Sequence, residues 1–137
     1  MLKSGNLATS LEPKNLGTRI LIVDDHELLR RGVEVILTAN SLGEVCGEAE
    51  NGEEAVRKVQ ELKPDLVILD VSMPVMNGLE AARQIRRIAP STKIVILTMH
   101  DSLQIMDAAH EAGADAVLVK VEAAAKLAET VRNVLQM

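Results

Sequence analysis

The sequence predicts an α/β domain, doubly wound, around a five-stranded parallel sheet of order 2-1-3-4-5. Three observations predict it. Aliphatic four-residue runs recur at Ile20-Leu21-Ile22-Val23, Leu66-Val67-Ile68-Leu69, Ile94-Val95-Ile96-Leu97 and Ala116-Val117-Leu118-Val119, the pattern of parallel strands covered on both faces. Helical patterns separate the runs, giving strand then helix five times over, and right-handed crossovers then place helices on both sides of the sheet. The second strand, Glu44-Val45-Cys46-Gly47-Glu48-Ala49, instead alternates polar and apolar residues. That pattern belongs at an exposed edge and favours order 2-1-3-4-5 over a simple run. A closed barrel would need eight strands.

The elements follow in order. Residues 1–18 carry Ser, Asn, Gly, Thr and Pro without periodicity and read as a disordered tail or expression remnant, leaving 19–137 as the folded domain. Leu29, Val33, Ile36 and Leu37 mark one face of a first helix from about Glu27 to Thr38. Asn51 precedes Gly-Glu-Glu-Ala as a helix start, with Val56, Val59 and Leu62 inward and a stop before Pro64. After Asp70, Pro74 and Gly78 fix a loop. The third helix then shows Leu79, Ala82, Ile85 and Ala89 and ends at Pro90. The fourth is Ala-rich, with Leu103, Met106 and Ala109, and is expected to be the least rigid because small side chains bury little area. A last helix from Glu122 carries Leu127, Val131, Val134 and Leu135.

Composition narrows the function. A chain of 137 residues, 47% hydrophobic and 26% charged, can bury a core without metal or disulfide staples. Its net charge of -5 argues against nonspecific adhesion to nucleic acid or anionic membrane. Arg30-Arg31 and Arg86-Arg87 are only pairs, read as solvated helix faces. Cys46 is the single cysteine and reads as a small buried hydrophobe; with no apolar span and no signal-peptide core, a reducing cytoplasm is expected. There is no Phe, Tyr or Trp, so base stacking on aromatic platforms is excluded.

The strands end in chemically matched residues: Asp24 and Asp25, Asp70, Thr98, and Lys120. Parallel strands gather these at the carboxyl edge, where ligands bind in open α/β sheets. Converging carboxylates need a counter-charge, and oxygen ligands without a His or Cys cluster point to Mg2+ or Mn2+ rather than zinc. Magnesium shares its positions with phosphoryl oxygens, so Asp70, central in the sheet, is the candidate nucleophile for a phosphoryl group. Lys120 and the metal would neutralise that group, with the Thr98 hydroxyl donating to one of its oxygens. Taken singly, Asp25 reads equally as a helix cap, Thr98 as a turn residue and Lys120 as a solvated lysine. Their coincidence on separate strands favours a site. Glu44, Glu48 and Glu53 show no convergence. His26 is expected to face solvent near the acidic pair, and His100 to modulate the mouth of the site.

With these residues in view, the chain resembles a two-component response-regulator receiver domain over roughly residues 19–137. The resemblance rests on residues 20–27, on Asp65-Leu66-Val67-Ile68-Leu69-Asp70-Val71-Ser72-Met73-Pro74, and on Gly78, Thr98 and Lys120. It implies a flavodoxin-like (βα)5 fold and a phosphoacceptor switch rather than a metabolic enzyme. Asp70 would take a phosphoryl group from a histidine kinase or phosphotransfer protein. Asp25 and the Ser72 carbonyl would join Asp70 around Mg2+, Asp24 would help through water, and Thr98 and Lys120 would contact the phosphoryl oxygens.

Residues 24–32 and Gly47-Glu48-Ala49-Glu50-Asn51-Gly52 are similar to the subgroup of receivers usually linked to a LuxR-type helix-turn-helix output, which implies transcription regulation. Either the chain stands alone or an output domain, the only route to DNA, lies outside it. A homodimer through the fourth helix, fifth strand and fifth helix is also implied. Two departures stand out: Val117 where the family commonly has Tyr or Phe, and Val121 after the lysine. The first removes the aromatic half of the usual switch and leaves Thr98 and the fourth helix to carry it. Rival readings are an aspartate-nucleophile phosphohydrolase of haloacid-dehalogenase type and a phosphorylation-silent interaction module. The first is opposed by Ser72 where its second aspartate belongs, the second by the intact acidic site. A flavin carrier is poorer still, lacking an aromatic cover and a phosphate-cradling loop.

Overall fold

A computed structural model of the chain describes residues 17–137; nearly all of the expected tail lies outside them. Strands β1 (Arg19–Val23), β2 (Glu44–Ala49), β3 (Leu66–Asp70), β4 (Lys93–Thr98) and β5 (Ala116–Val119) alternate with helices α1 (Glu27–Ala39), α2 (Gly52–Leu62), α3 (Gly78–Ile88), α4 (Leu103–Glu111) and α5 (Ala123–Leu135). All pairings are parallel, in the order β2-β1-β3-β4-β5. The predicted order is therefore observed, with the alternating strand at an edge. Among the described residues no helix is long and apolar enough to cross a membrane.

Alternation along each strand divides the core in two. Leu21, Val23, Val67, Leu69, Ile94 and Ile96 face Ala55 and Val59 of α2, Ala81, Ala82 and Ile85 of α3, and Ala109 of α4. Ile20, Ile22, Leu66, Ile68, Val95 and Leu97 face Val33 and Leu37 of α1 and Leu127 and Val131 of α5. Because β3 is central and buried along its whole length, Asp70 reaches the carboxyl edge from the middle of the sheet.

Several helix details differ from expectation. In α1 the inward positions are Arg30, Val33 and Leu37, while Leu29 turns toward solvent. The buried stripe thus runs at spacings of three and four with an arginine in it, because that guanidinium finds partners on β2 and at the end of β1. A short 3-10 turn, Lys120–Glu122, precedes α5, which begins one residue later than expected. Only Ala109 of α4 is buried, in keeping with the expected weak anchoring, and Leu103 is 79% exposed. Cys46 is half-buried rather than buried, at the bulge where Ile20 pairs with Val45 and Leu21 with Gly47. Burial pushes its thiol up, away from the reactive thiolate form.

Candidate functional site

The carboxyl edge brings three of the predicted residues into direct contact. Lys120 Nζ lies 3.0 Å from Asp24 Oδ2 and 3.0 Å from Asp70 Oδ1. Its side chain is only 12% exposed, against 6% and 3% for the two carboxylates, so the solvated reading of this lysine does not hold. Burial drives the Asp70 carboxyl above its ordinary range; the Lys120 hydrogen bond opposes this, the neighbouring Asp24 charge adds to it, and the Ser72 N–H opposes it. Burial also draws the Lys120 ammonium down, but its bonds to Asp70 and Asp24 outweigh that and leave it above its ordinary value.

Tight backbone turns hold Asp70 in place. The Gly78 N–H donates to the Val71 carbonyl at 2.8 Å, and a Cβ on Gly78 would sit 2.0 Å from the Asp70 carbonyl oxygen. Only glycine permits this approach. The Met76 carbonyl accepts from the Gly52 N–H at 2.8 Å, anchoring residues 71–77 to the start of α2. Asn51 and Asn77 cap α2 and α3 by accepting from Glu54 and Glu80 N–H groups.

Asp25 does not cap α1. That helix starts after His26, and it is the Asp24 carboxylate that accepts the His26 N–H, at 2.9 Å. Asp25 Oδ1 is buried and takes part in no hydrogen bond, although His26 Nδ1 stands 3.1 Å from it without bonding geometry. Asp24, Asp25 and His26 together present ligand atoms within 4.8 Å of one another. An orphaned buried carboxylate oxygen costs free energy unless a donor or cation meets it. Two carboxylates facing one ammonium, with Asp25 beside Asp24, also carry excess negative charge. Both features fit a hard divalent cation with oxygen ligands.

Thr98, 1% exposed, ends β4, and its hydroxyl accepts the His100 N–H at 3.1 Å. That bond is the turn role expected of a threonine here, and it leaves the hydroxyl proton for another acceptor.

The response regulator receiver domain model matches residues 20–132. The chain belongs to that family. Receiver domains are phosphoacceptor signalling domains of two-component systems rather than metabolic enzymes, and they bind Mg2+ at an acidic pocket. The hydrolase reading is not favoured.

Among curated relatives, the chain is 40% identical over 119 residues to the chemotaxis protein CheY of Thermotoga maritima, covering 87% of this chain and 98% of that one. It is 40% identical over 115 residues to the response regulator VraR of Staphylococcus aureus, covering 84% of this chain and 55% of VraR. The chain thus spans about half the length of the VraR and DegU relatives it matches. A two-component response regulator of the LuxR family from Aurantimonas sp. superposes with a TM-score of 0.83 at 33% identity, over 88% of this chain and 86% of that one. A chain of the CheX–CheY–BeF3–Mg complex of Borrelia burgdorferi gives 0.82 at 26% identity, over 88% of this chain and 90% of that one.

Sequence reasoning missed one part of this receiver's edge. Arg30 and Arg86 are not solvated helix residues, and Glu48 does converge on partners. Arg30 is 8% exposed and donates from Nη1 to the Asp24 carbonyl at 2.6 Å and from Nε to Glu48 Oε1 at 2.7 Å. Arg31 also bonds Glu48, whose carboxyl burial would raise; the two arginines outweigh burial and hold it below its usual range. The signal was present as Arg30, Val33 and Leu37 at helical spacing, an arginine within an apolar stripe. Arg86 lies at the opposite edge, bonded to the carbonyls of Gly113, Pro90 and Thr92 and to Asp115.

Proposed function

We propose that Asp70 is the phosphoacceptor of this receiver. The observation that carries the reading is the placement of Lys120 Nζ at 3.0 Å from both Asp70 and Asp24, beside the unbonded Asp25 Oδ1. Asp70 Oδ attacks the phosphorus of a phosphohistidine on a sensor kinase or phosphotransfer protein. The new P–O bond forms as the P–N bond breaks, and the imidazole leaves with a proton. Lys120, freed from one carboxylate, turns its ammonium to the arriving phosphoryl oxygens, and Thr98 donates its free hydroxyl proton to another. Asp24, Asp25, Asp70 and the Ser72 carbonyl are the residues that would hold Mg2+, which when bound offsets negative charge on the group in transfer. His26, within reach of the same oxygens, faces the outer side of that cluster.

The cytoplasm is the compartment that suits this chemistry and a lone cysteine. The length of the VraR-type relatives supports an output that regulates transcription through a separate domain, with pairing through α4, β5 and α5 as the expected dimer contact.

The test is intact mass after incubation with acetyl phosphate and Mg2+, with Asp70→Asn alongside. One added phosphoryl group, absent in the variant and absent without Mg2+, is the expected result. Incorporation that survived in Asp70→Asn would overturn the assignment. Catalytic phosphate release without an adduct would favour the hydrolase, and neither adduct nor turnover would favour a silent interaction module.

A further inference from the structure

Asp24 is held at each of its polar groups. Its N–H donates to the Ala49 carbonyl at 3.0 Å, Oδ1 accepts from the His26 N–H, and Oδ2 from Lys120. Its carbonyl accepts from Arg30 Nη1 at 2.6 Å. The last bond differs in kind from the others. A buried guanidinium is costly unless its charge and donors are met, and here Glu48, reaching from the edge strand β2, meets the Nε at 2.7 Å. Charge, hydrogen bonds and position therefore join α1, β2 and the loop after β1 at one point.

Planarity of the peptide bond turns that clamp toward Asp25. The Asp24 carbonyl lies in the same rigid plane as the Asp25 N–H and Cα. Fixing the carbonyl fixes the direction from which the Asp25 side chain sets out. Asp25 needs such support, because its Oδ1 accepts no hydrogen bond of its own. Lys120 holds Asp24 and Asp70 directly, and the ion pair of Asp25 is with His26 instead.

We infer that Arg30, anchored by Glu48, is a positioning residue that aims Asp25 at the divalent cation. The inference rests on the cation site proposed above. Arg30 touches neither the cation nor the phosphoryl group; it acts through the 24–25 peptide. Loosening the clamp weakens cation binding while leaving Asp70, Lys120 and Thr98 able to react once the cation is supplied in excess.

The experiment uses the full chain in four forms: native, Arg30→Met, Arg30→Lys and Arg86→Met. The last removes a comparably bonded arginine at the far edge of the sheet. Mg2+ alone is titrated into isotope-labelled protein and followed by amide chemical shifts, and the rate of acetyl phosphate incorporation is then measured against Mg2+ concentration. Arg30→Met should weaken Mg2+ binding on the order of tenfold, as loss of an outer-shell partner does, with the native incorporation rate regained at saturating Mg2+. Arg30→Lys should recover part of the loss, because one ammonium cannot reproduce the rigid fork that spans Asp24 and Glu48. Arg86→Met should lower the unfolding midpoint and leave Mg2+ affinity at the native value.

An Arg30→Met protein that binds Mg2+ within twofold of native would overturn the inference, as would an equal weakening in Arg86→Met. If Arg30→Met does not fold, Glu48→Gln loosens the same clamp from its more exposed end, and unchanged Mg2+ affinity there overturns the inference equally. A native chain that binds no Mg2+ would overturn the functional reading and the clamp together, whereas native binding with an indifferent Arg30→Met overturns the clamp alone.

Discussion

Replacing Lys120 with Met tests the site through stability alone. The ammonium is 3.0 Å from each of two carboxylates, all three side chains nearly buried. At an effective dielectric of about 20, each contact is worth roughly 5 kcal/mol of Coulomb attraction, before the cost of removing the charges from water. Removing one partner of such a group leaves the others buried and uncompensated, which costs about 3–5 kcal/mol, a large share of a domain's total of about 5–15 kcal/mol. The same change at Lys126, 56% exposed and 3.5 Å from Glu122, should cost less than about 0.5 kcal/mol. Urea unfolding followed by far-ultraviolet circular dichroism is the assay, since the chain has no aromatic fluorophore.

The pH dependence carries the sign. Asp70 is already displaced upward by burial, and Lys120 opposes that displacement. Without the lysine the native state holds its proton to still higher pH than the unfolded chain does, so the variant's deficit shrinks as pH falls through that range. Mg2+ at a hundredfold excess over its Kd for the variant should add about 2.7 kcal/mol to the variant's own stability. A deficit below about 1 kcal/mol, or one indifferent to pH, would show that Lys120 is solvated and would refute the reasoning.

Asp70→Asn should raise stability by on the order of 1 kcal/mol at neutral pH. The raised folded pKa means that Asp70 contributes stability below its ordinary 3.8 and loses it as pH rises through the folded value; unfolding midpoints of the two proteins should converge in acid. Val75→Gly should gain about 0.5–1 kcal/mol in the same assay, because Val75 is 76% exposed and sits at φ 68, where a β-branched residue is strained by more than the backbone entropy glycine adds. Phosphorylation should alter hydrogen exchange in residues 103–111 severalfold and spare α3. Unchanged protection in α4 would remove Thr98 and α4 as carriers of the switch.

The strands and their order were legible because a sheet covered on both faces demands aliphatic runs, and the edge strand because it alone alternates. Asp70, Asp24 and Lys120 were legible for a related reason: parallel strands end at one edge, so type and position in sequence imply proximity. Arg30 was not legible. An arginine pair on a helix reads as a solvated face until the burial of Arg30 against Glu48 of β2 is known, and that contact joins residues 18 apart in sequence. Leu29 misled for the same reason, since its outward turn follows from the inward turn of Arg30. Thr98 was legible as a residue at the edge, and its acceptance of the His100 N–H needed the backbone path of the loop.

The two edges of the sheet carry opposite burdens. At the amino edge every conspicuous polar group is satisfied: Arg86 bonds three carbonyls and Asp115, Asp115 accepts the Ile94 N–H, Asp65 accepts the Arg19 N–H, and the Thr92 hydroxyl donates to the Pro64 carbonyl. At the carboxyl edge an aspartate is raised by burial and a carboxylate oxygen has no hydrogen bond. Unmet groups are costly, so a fold selected for stability alone would not collect them on one side. Their segregation means that the amino edge and the aliphatic layers between hold the domain together, while the carboxyl edge keeps the unmet groups on which the proposed cation and phosphoryl site rests. Ligands that meet those groups should therefore stabilise the native state by more than their contacts alone, because they also relieve the cost of the unmet groups.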